Sequence, residues 1–359
     1  MLRAALIGLP SVGKTTLFQL MTSSKEGGAK PRGDTTIGVS HVPDQRLDRL
    51  TAMFRPRKRV PATVEFIDLA GARTGSTQDL VDVAPYRSAD ALVHVLRLFR
   101  DASVAHSAGS IDAARDARQV EDELVLADLG VAERRIERLQ KDMKKGAVAE
   151  MEHELAVLER CRAALEDSTP IRALALPADD QKPLRGFQFL SAKPLLLVLN
   201  LDEADAGSLD RAAELAGLTP FLEGAATRAV GVCGRIELEI AQLDPDEASA
   251  FMADLGVSES GLDRVIRTSY DLLGYVSFFT VGEDECRAWS IPRGTRAQAA
   301  AGEIHSDIER GFIRAEVVSY DDLIAAGSLA ACKERGLTRL EGKDYLVRDG
   351  DVVNFRFAT

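Results

Sequence analysis

Eight residues near the start of the chain, Gly8-Leu9-Pro10-Ser11-Val12-Gly13-Lys14-Thr15, form a complete G-x-x-x-x-G-K-[ST] pattern. Each residue type has a physical task in such a loop. The glycines let backbone N–H groups turn inward around phosphate oxygens, and the helix that follows adds its partial positive charge. Lys14 is placed to reach the β and γ phosphates and the Thr15 hydroxyl to ligate magnesium, while Pro10, Ser11, Val12 and Thr16 complete the wall. A second element, Asp68-Leu69-Ala70-Gly71, closes the segment VEFIDLA. A carboxylate there can hold the magnesium through water, and the Gly71 N–H can meet the γ-phosphate. Ala72 follows, where many GTPases carry a glutamine that orients the attacking water. Alanine cannot do so, and intrinsic hydrolysis is expected to be slow or served by another group.

The third element is LLLVLNLDEAD, residues 195 to 205. Five apolar residues read as a strand covered on both faces, running straight into Asn200, Asp202 and Glu203. In GTPases the equivalent loop reads N-K-x-D, and its carboxylate accepts two hydrogen bonds from guanine. Here Leu201 stands for the lysine and Glu203 for the aspartate. Adenine offers a lone pair at N1 where guanine offers a proton, so a carboxylate aimed at that edge repels adenine. Glu203 must point elsewhere or bind guanine imperfectly. Asn200 carries a donor and an acceptor that can serve adenine's amino group or N7. The base is expected to be adenine, with dual specificity open. Cys233 and Gly234 complete the candidate nucleotide-binding set.

Such groups need a parallel sheet to gather them. Ala4 to Ile7, Val64 to Leu69, Ala91 to Leu96 and 195 to 199 read as strands alternating with helices, the signature of an α/β sheet. TSSKEGGAKPRGDTT, without periodicity, reads as a long loop. Between 119 and 166 the texture changes. Leu129, Ile136, Leu139 and Met143, then Val148, Met151, Leu155, Leu158 and Leu165, fall at helical spacing on either side of Gly146. That pattern predicts an antiparallel helical hairpin. Its first helix ends in Arg134, Arg135, Arg138, Lys141, Lys144 and Lys145, either a solvated face or a surface for an anionic partner. Helical segments follow near 211 to 216, 236 to 253 and 261 to 273. From Phe278 short strands, turns and one helix around Gln298 to Glu309 suggest a separate α+β domain. It ends on VVNFRF with Val353, Phe355 and Phe357 on one face.

Composition sets bounds. At 359 residues, 45% apolar and net charge −11, the chain is long enough for two or three cores, and its overall charge opposes nonspecific nucleic-acid binding. Cys161, Cys233, Cys286 and Cys332 are far apart, with neither zinc-site nor disulfide spacing. The apolar run at Leu2 to Ile7 is too short for a signal peptide, and no run approaches a membrane span. Cytoplasmic placement and a monomer without DNA or membrane contacts are expected.

Together these residues resemble the Obg-like ATPases of the YchF type, within the translation-factor-related P-loop GTPases. The resemblance runs through GLPSVGKTTLF, VEFIDLAG, DALVHVLRLF, NLDE, RAWSIPRGTRAQAAAGEIHSDIERGFIRAEVVSYDDL and GKDYLVRDGDVVNF. It implies an α/β P-loop NTPase domain over 1–275, a helical arm inserted at about 110–190, and a TGS-type, ubiquitin-like β-grasp domain over 276–359. It further implies magnesium, a preference for ATP over GTP that goes with N-x-x-E, and the ribosome as partner in translation or stress responses. Ser11 stands where the family carries asparagine. In the first switch loop an ungapped alignment puts Arg32 at the family threonine, and a shift brings in Thr35 or Thr36, of which Thr36 is taken as a magnesium-side ligand. His106 aligns with a family histidine proposed to replace the missing glutamine, so the catalytic set is Lys14, Gly71 and His106. His94 reads as a satisfied core histidine. A metabolic kinase is disfavoured, because the resemblance includes no acceptor-substrate site. A binding module with vestigial hydrolysis stays open, as does a GTP-preferring diverged paralogue.

Overall fold

The computed structural model describes residues 2–22, 30–32, 35–69, 84–146, 148–224, 226–257 and 259–358. In chain order the strands are β1 (Arg3–Ile7), β2 (Lys30–Arg32), β3 (Thr35–His41), β4 (Lys58–Val60), β5 (Thr63–Leu69), β6 (Ala91–Arg97) and β7 (Leu195–Asn200). They continue as β8 (Thr227–Val232), β9 (Tyr275–Val281), β10 (Glu285–Pro292), β11 (Phe312–Ser319), β12 (Arg339–Glu341) and β13 (Asp351–Phe357). Two compact units result. One is Met1–Ser40 with Glu65–Leu272, the other His41–Val64 with Leu273–Thr359.

The first unit is built on the sheet order β2-β3-β5-β1-β6-β7-β8. β1 runs parallel to β5 and β6, and β6, β7 and β8 are parallel to one another. Every residue of β6 and β7 is buried, His94 and Arg97 included, as strands in the middle of a parallel sheet are covered on both faces. Their carboxyl ends lie along one edge, the place where open α/β sheets bind ligands. The stretch expected as a loop between 22 and 36 is in part sheet. β2 and β3 pair antiparallel with Pro31 opposite Thr36. The expected helix at 211 to 216 is only Ala212–Leu215, preceded by a 3-10 segment Glu203–Arg211.

The arm begins earlier than its periodicity shows. Its first helix is Ala113–Met143, capped by the Asp112 carboxylate, which accepts from the Arg115 N–H; its second is Ala149–Glu166. Between them Gly146 takes φ +153, a conformation that L side chains rarely adopt. Ala132, Ile136 and Leu139 are buried in one cluster with Val157, Leu158, Cys161 and Leu165. No described helix is long and apolar enough to cross a membrane.

The second unit has the sheet order β12-β11-β13-β9-β10-β4. Its core gathers Phe278, Ile291, Ala297, Ala300, Val317 and Val353. β13 and β9 lie parallel at the centre, β13 antiparallel to β11 and β9 antiparallel to β10, with the helix Ala297–Ile304 between β10 and β11 in the chain, a β-grasp arrangement. Two expectations need correction. The segment 41–64 does not stay with the phosphate-loop unit, because β4 pairs with β10 as an edge strand and the helix Gln45–Phe54 buries Leu47 and Leu50 completely. The single helix expected at 298 to 309 is two, Ala297–Ile304 and Ser306–Arg310. His305 is extended between them and caps the second by accepting from the Asp307 N–H. In VVNFRF, Val353 and Phe355 are buried and Phe357, two residues further along the same strand, is 41% exposed.

Candidate nucleotide site

The phosphate loop leaves the carboxyl end of β1, and its conformation explains its composition. Gly8 and Gly13 have φ of +137 and +99. A Cβ on Gly8 would lie 2.5 Å from the Val95 carbonyl oxygen, and one on Gly13 2.6 Å from Asn200 Nδ2. Ser11 also takes a positive φ of 61, a conformation asparagine tolerates better than serine. Val12 is buried and Pro10 exposed. Lys14 opens the helix Lys14–Thr22, with Thr15 and Thr16 in its first turn. The Lys14 ammonium donates to the carbonyls of Gly8 and Leu9 at 2.9 and 2.6 Å. Burial lowers its pKa, and the charge of Asp68 partly opposes that shift.

The Thr15 hydroxyl donates to Asp68 Oδ2 at 3.0 Å across the edge between β1 and β5. Asp68 is 3% exposed, and its other oxygen, Oδ1, is buried without a hydrogen-bond partner among the described residues. Burial raises its carboxyl above the usual range, with the Thr15 hydrogen bond and Lys14 acting the other way. A hydroxyl and a carboxylate with an orphaned oxygen fit a magnesium ion, which keeps most of its waters and takes few protein ligands. No group of three or more His, Cys, Asp or Glu side chains among the described residues makes an all-protein metal cage.

The loop Asn200 to Glu203 is knitted to its surroundings. Asn200, 6% exposed, donates from Nδ2 to the Val12 carbonyl at 3.1 Å and accepts at Oδ1 from the Gly234 N–H at 3.0 Å. Its carbonyl accepts from the N–H groups of Leu98 and Phe99. The expectation that the Asn200 amide is free for a base edge is therefore corrected, since both ends of it already hold backbone. Asp202 Oδ2 accepts from the Arg100 N–H at 2.9 Å, and the buried Leu201 donates its N–H to Val232. Glu203 pairs with Arg235, Oε1 to Nε 2.9 Å. Cys233 is buried at the end of β8, and its thiol is raised above the usual range chiefly by that burial.

The remaining expected residues fall differently. Thr36 lies inside β3, and Gly71 and Ala72 are outside the described residues. His106 accepts the Ala108 N–H at Nδ1. Its Nε2 lies 3.0 Å from Asp116 Oδ2 without hydrogen-bond alignment, in a side chain only 7% exposed. His94 is buried beside Gly8, with Nε2 unpartnered among the described residues, so it is not the fully satisfied core histidine expected. Burial first, then Lys14 and Arg172, lower its pKa to about 3.

Two residues escaped the sequence reading. Arg97, 3% exposed, donates to the carbonyls of Phe99, Asp101, Val104 and Ala105 and lies 4.5 Å over the Phe99 ring, thereby shaping the loop that leads to His106. A charge ending the apolar run ALVHVLR was a usable signal for it. Arg235 left no signal, because only folding brings it to Glu203.

Comparison with known proteins agrees with this geometry. A family model described as 50S ribosome-binding GTPase matches residues 3–146, and one for the YchF-GTPase C-terminal region, described as a protein of unknown function, matches 275–358. The chain is 40% identical over 369 residues to the ribosome-binding ATPase YchF of Bacillus subtilis and 42% identical over 365 to that of Pasteurella multocida, covering 99% of both chains in each case. The solved structure of the Schizosaccharomyces pombe YchF GTPase superposes with a TM-score of 0.87 at 30% identity, over 99% of this chain and 97% of that one. With its phosphate loop, its Thr15–Asp68 pair, its N-L-D-E loop and near-complete coverage of these relatives, the chain belongs to the YchF family.

Proposed function

We propose that this chain is a magnesium-dependent nucleotide switch that binds and slowly hydrolyses ATP and acts with the ribosome. The observation that carries the reading is the convergence of Lys14, Thr15, Asp68 and the Asn200 bridge at one edge of the sheet. Phosphates would meet the loop N–H groups and the Lys14 ammonium, and Thr15 and Asp68 would hold the magnesium ion. Bound there, magnesium would offset the charge on the phosphate oxygens. Preference for adenine is supported by the buried Leu201 in place of a lysine and by a Glu203 carboxylate already paired with Arg235. Relatives over the full length carry the name ribosome-binding ATPase. Competition calorimetry should show ATP binding at least as tightly as GTP, and Leu201→Lys with Glu203→Asp should move the ratio towards GTP. A chain that binds GTP tenfold more tightly than ATP would refute the base assignment.

A second reading, a binding module in which nucleotide acts mainly as a ligand, is favoured by one observation. His106 is turned into protein, with Nδ1 accepting from Ala108 and Nε2 against Asp116. Single-turnover hydrolysis with and without ribosomes separates the two readings. A rate near background with no stimulation selects the binding module.

A further inference from the structure

The loop Asn200 to Glu203 has three polar side chains, and two of them are consumed by backbone. Asn200 joins Val12 to Gly234, and Asp202 holds the Arg100 N–H. Glu203 alone keeps a carboxylate that a base edge could meet. That carboxylate is held from the first turn of the helix Gly234–Ile240 by Arg235, at 2.9 Å. Guanine recognition requires a carboxylate that can accept from two N–H groups at once. An oxygen engaged by a guanidinium is drawn from that geometry, and its charge is partly neutralised. Adenine asks nothing of the carboxylate, and its N1 lone pair is repelled less by a paired one. We propose that Arg235 is a base-specificity residue: by holding Glu203 it weakens guanine and leaves adenine tolerated. The proposal rests on the reading of 200 to 203 as the base loop.

One further acid attracts Arg235 weakly. Asp101, on the loop that Arg97 shapes, has a carboxyl below the usual range. Hydrogen bonds from Ser103 are the main cause, with Arg97 and Arg235 adding attraction. Arg235 is therefore paired with Glu203 and attracted more weakly by Asp101. Its side chain is 79% exposed and that of Glu203 44%, so the pair is screened by water and modest in strength. Exposed pairs of this kind shift equilibria by about two- to fivefold, which sets the size of the expected effect. The same exposure means that removing Arg235 opens no hole in the core.

The test is displacement of a fluorescent nucleotide by ADP and by GDP, which avoids hydrolysis, in the full chain with magnesium. Arg235→Ala should raise GDP affinity relative to ADP by about two- to fivefold, and Arg235→Lys should fall between it and the wild type. In a Glu203→Gln background, Arg235→Ala should leave the ratio where Glu203→Gln alone puts it, a result that a merely structural role for Arg235 would not give. An unchanged ratio in Arg235→Ala, or an equal shift with and without Glu203, overturns the proposal. A wild type that strongly prefers guanine would instead overturn the adenine reading, and the Arg235→Ala ratio would still be read independently.

Discussion

Replacing Asn200 with alanine should loosen the site in a way that can be read at a single amide. The side chain joins two loops through two hydrogen bonds, Nδ2 to the Val12 carbonyl and Oδ1 from the Gly234 N–H, and it is almost wholly buried. Removing it leaves a carbonyl and an N–H without partners in a place water reaches poorly. A buried group stranded in this way costs about 1–3 kcal/mol. For Gly234 alone that corresponds to a fall of about 5- to 150-fold in hydrogen-exchange protection, since each 1.4 kcal/mol is a factor of ten. Nucleotide affinity should fall as well, because Val12 belongs to the phosphate loop and its position would no longer be tied to β7. Asn200→Asp supplies the contrast. It can still accept from Gly234 but sets an oxygen against the Val12 carbonyl, so Gly234 should stay protected while nucleotide binding weakens. If Asn200→Ala leaves both Gly234 exchange and ADP affinity unchanged, Asn200 is not the strut described, and its amide is free to serve the base after all.

Three further outcomes follow from the same contacts. His94 stays neutral down to about pH 3, whereas an unfolded histidine takes up a proton near 6.5; between these values the unfolded state binds more protons, and stability must fall as pH is lowered. The slope approaches about 1.4 kcal/mol per pH unit, and acid titration of His94→Leu should lack this component, whereas an unchanged profile would remove His94 from the account. A fragment of residues 273–359 lacks β4 and the helix carrying Leu47 and Leu50, whose loss amounts to about 3–6 kcal/mol of apolar burial. It should be poorly folded by NMR dispersion and rescued by fusion to 41–64; a well-folded fragment would refute this. Finally, Arg134, Arg138 and Lys141 on the first arm helix and Lys145 just past its end are exposed, and their replacement by Gln should reduce ribosome cosedimentation at low salt, with unchanged cosedimentation moving the contact elsewhere.

How far the site was legible depends on what kind of contact made it. The phosphate loop was readable because its chemistry is local. Gly8, Gly13, Lys14 and Thr15 act within one turn of chain, and their positive φ values and first-turn position are demanded by the pattern itself. The strands β1 and β7 were readable because burial on both faces leaves nearly unbroken apolar runs, and β5 and β6 because their few polar residues still sit within apolar, strand-like stretches. The role of Asn200 was misjudged for the opposite reason. An amide with a donor and an acceptor looks the same in sequence whether it faces a base or two backbone groups, and only the approach of Val12 and Gly234 decides. The pairing of Glu203 with Arg235 was invisible on the same ground, as was the transfer of 41–64 to the second unit. Short segments such as Lys58–Val60 carry too little pattern to announce their partner strand, and β4 finds β10 across more than half the chain. Local chemistry therefore marked the candidate phosphate loop, whereas the proposed tuning of the base lies in long-range contacts. A chain can thus keep N-x-x-E in plain view while the contact proposed to set what Glu203 does, its pairing with Arg235, leaves no mark in any motif.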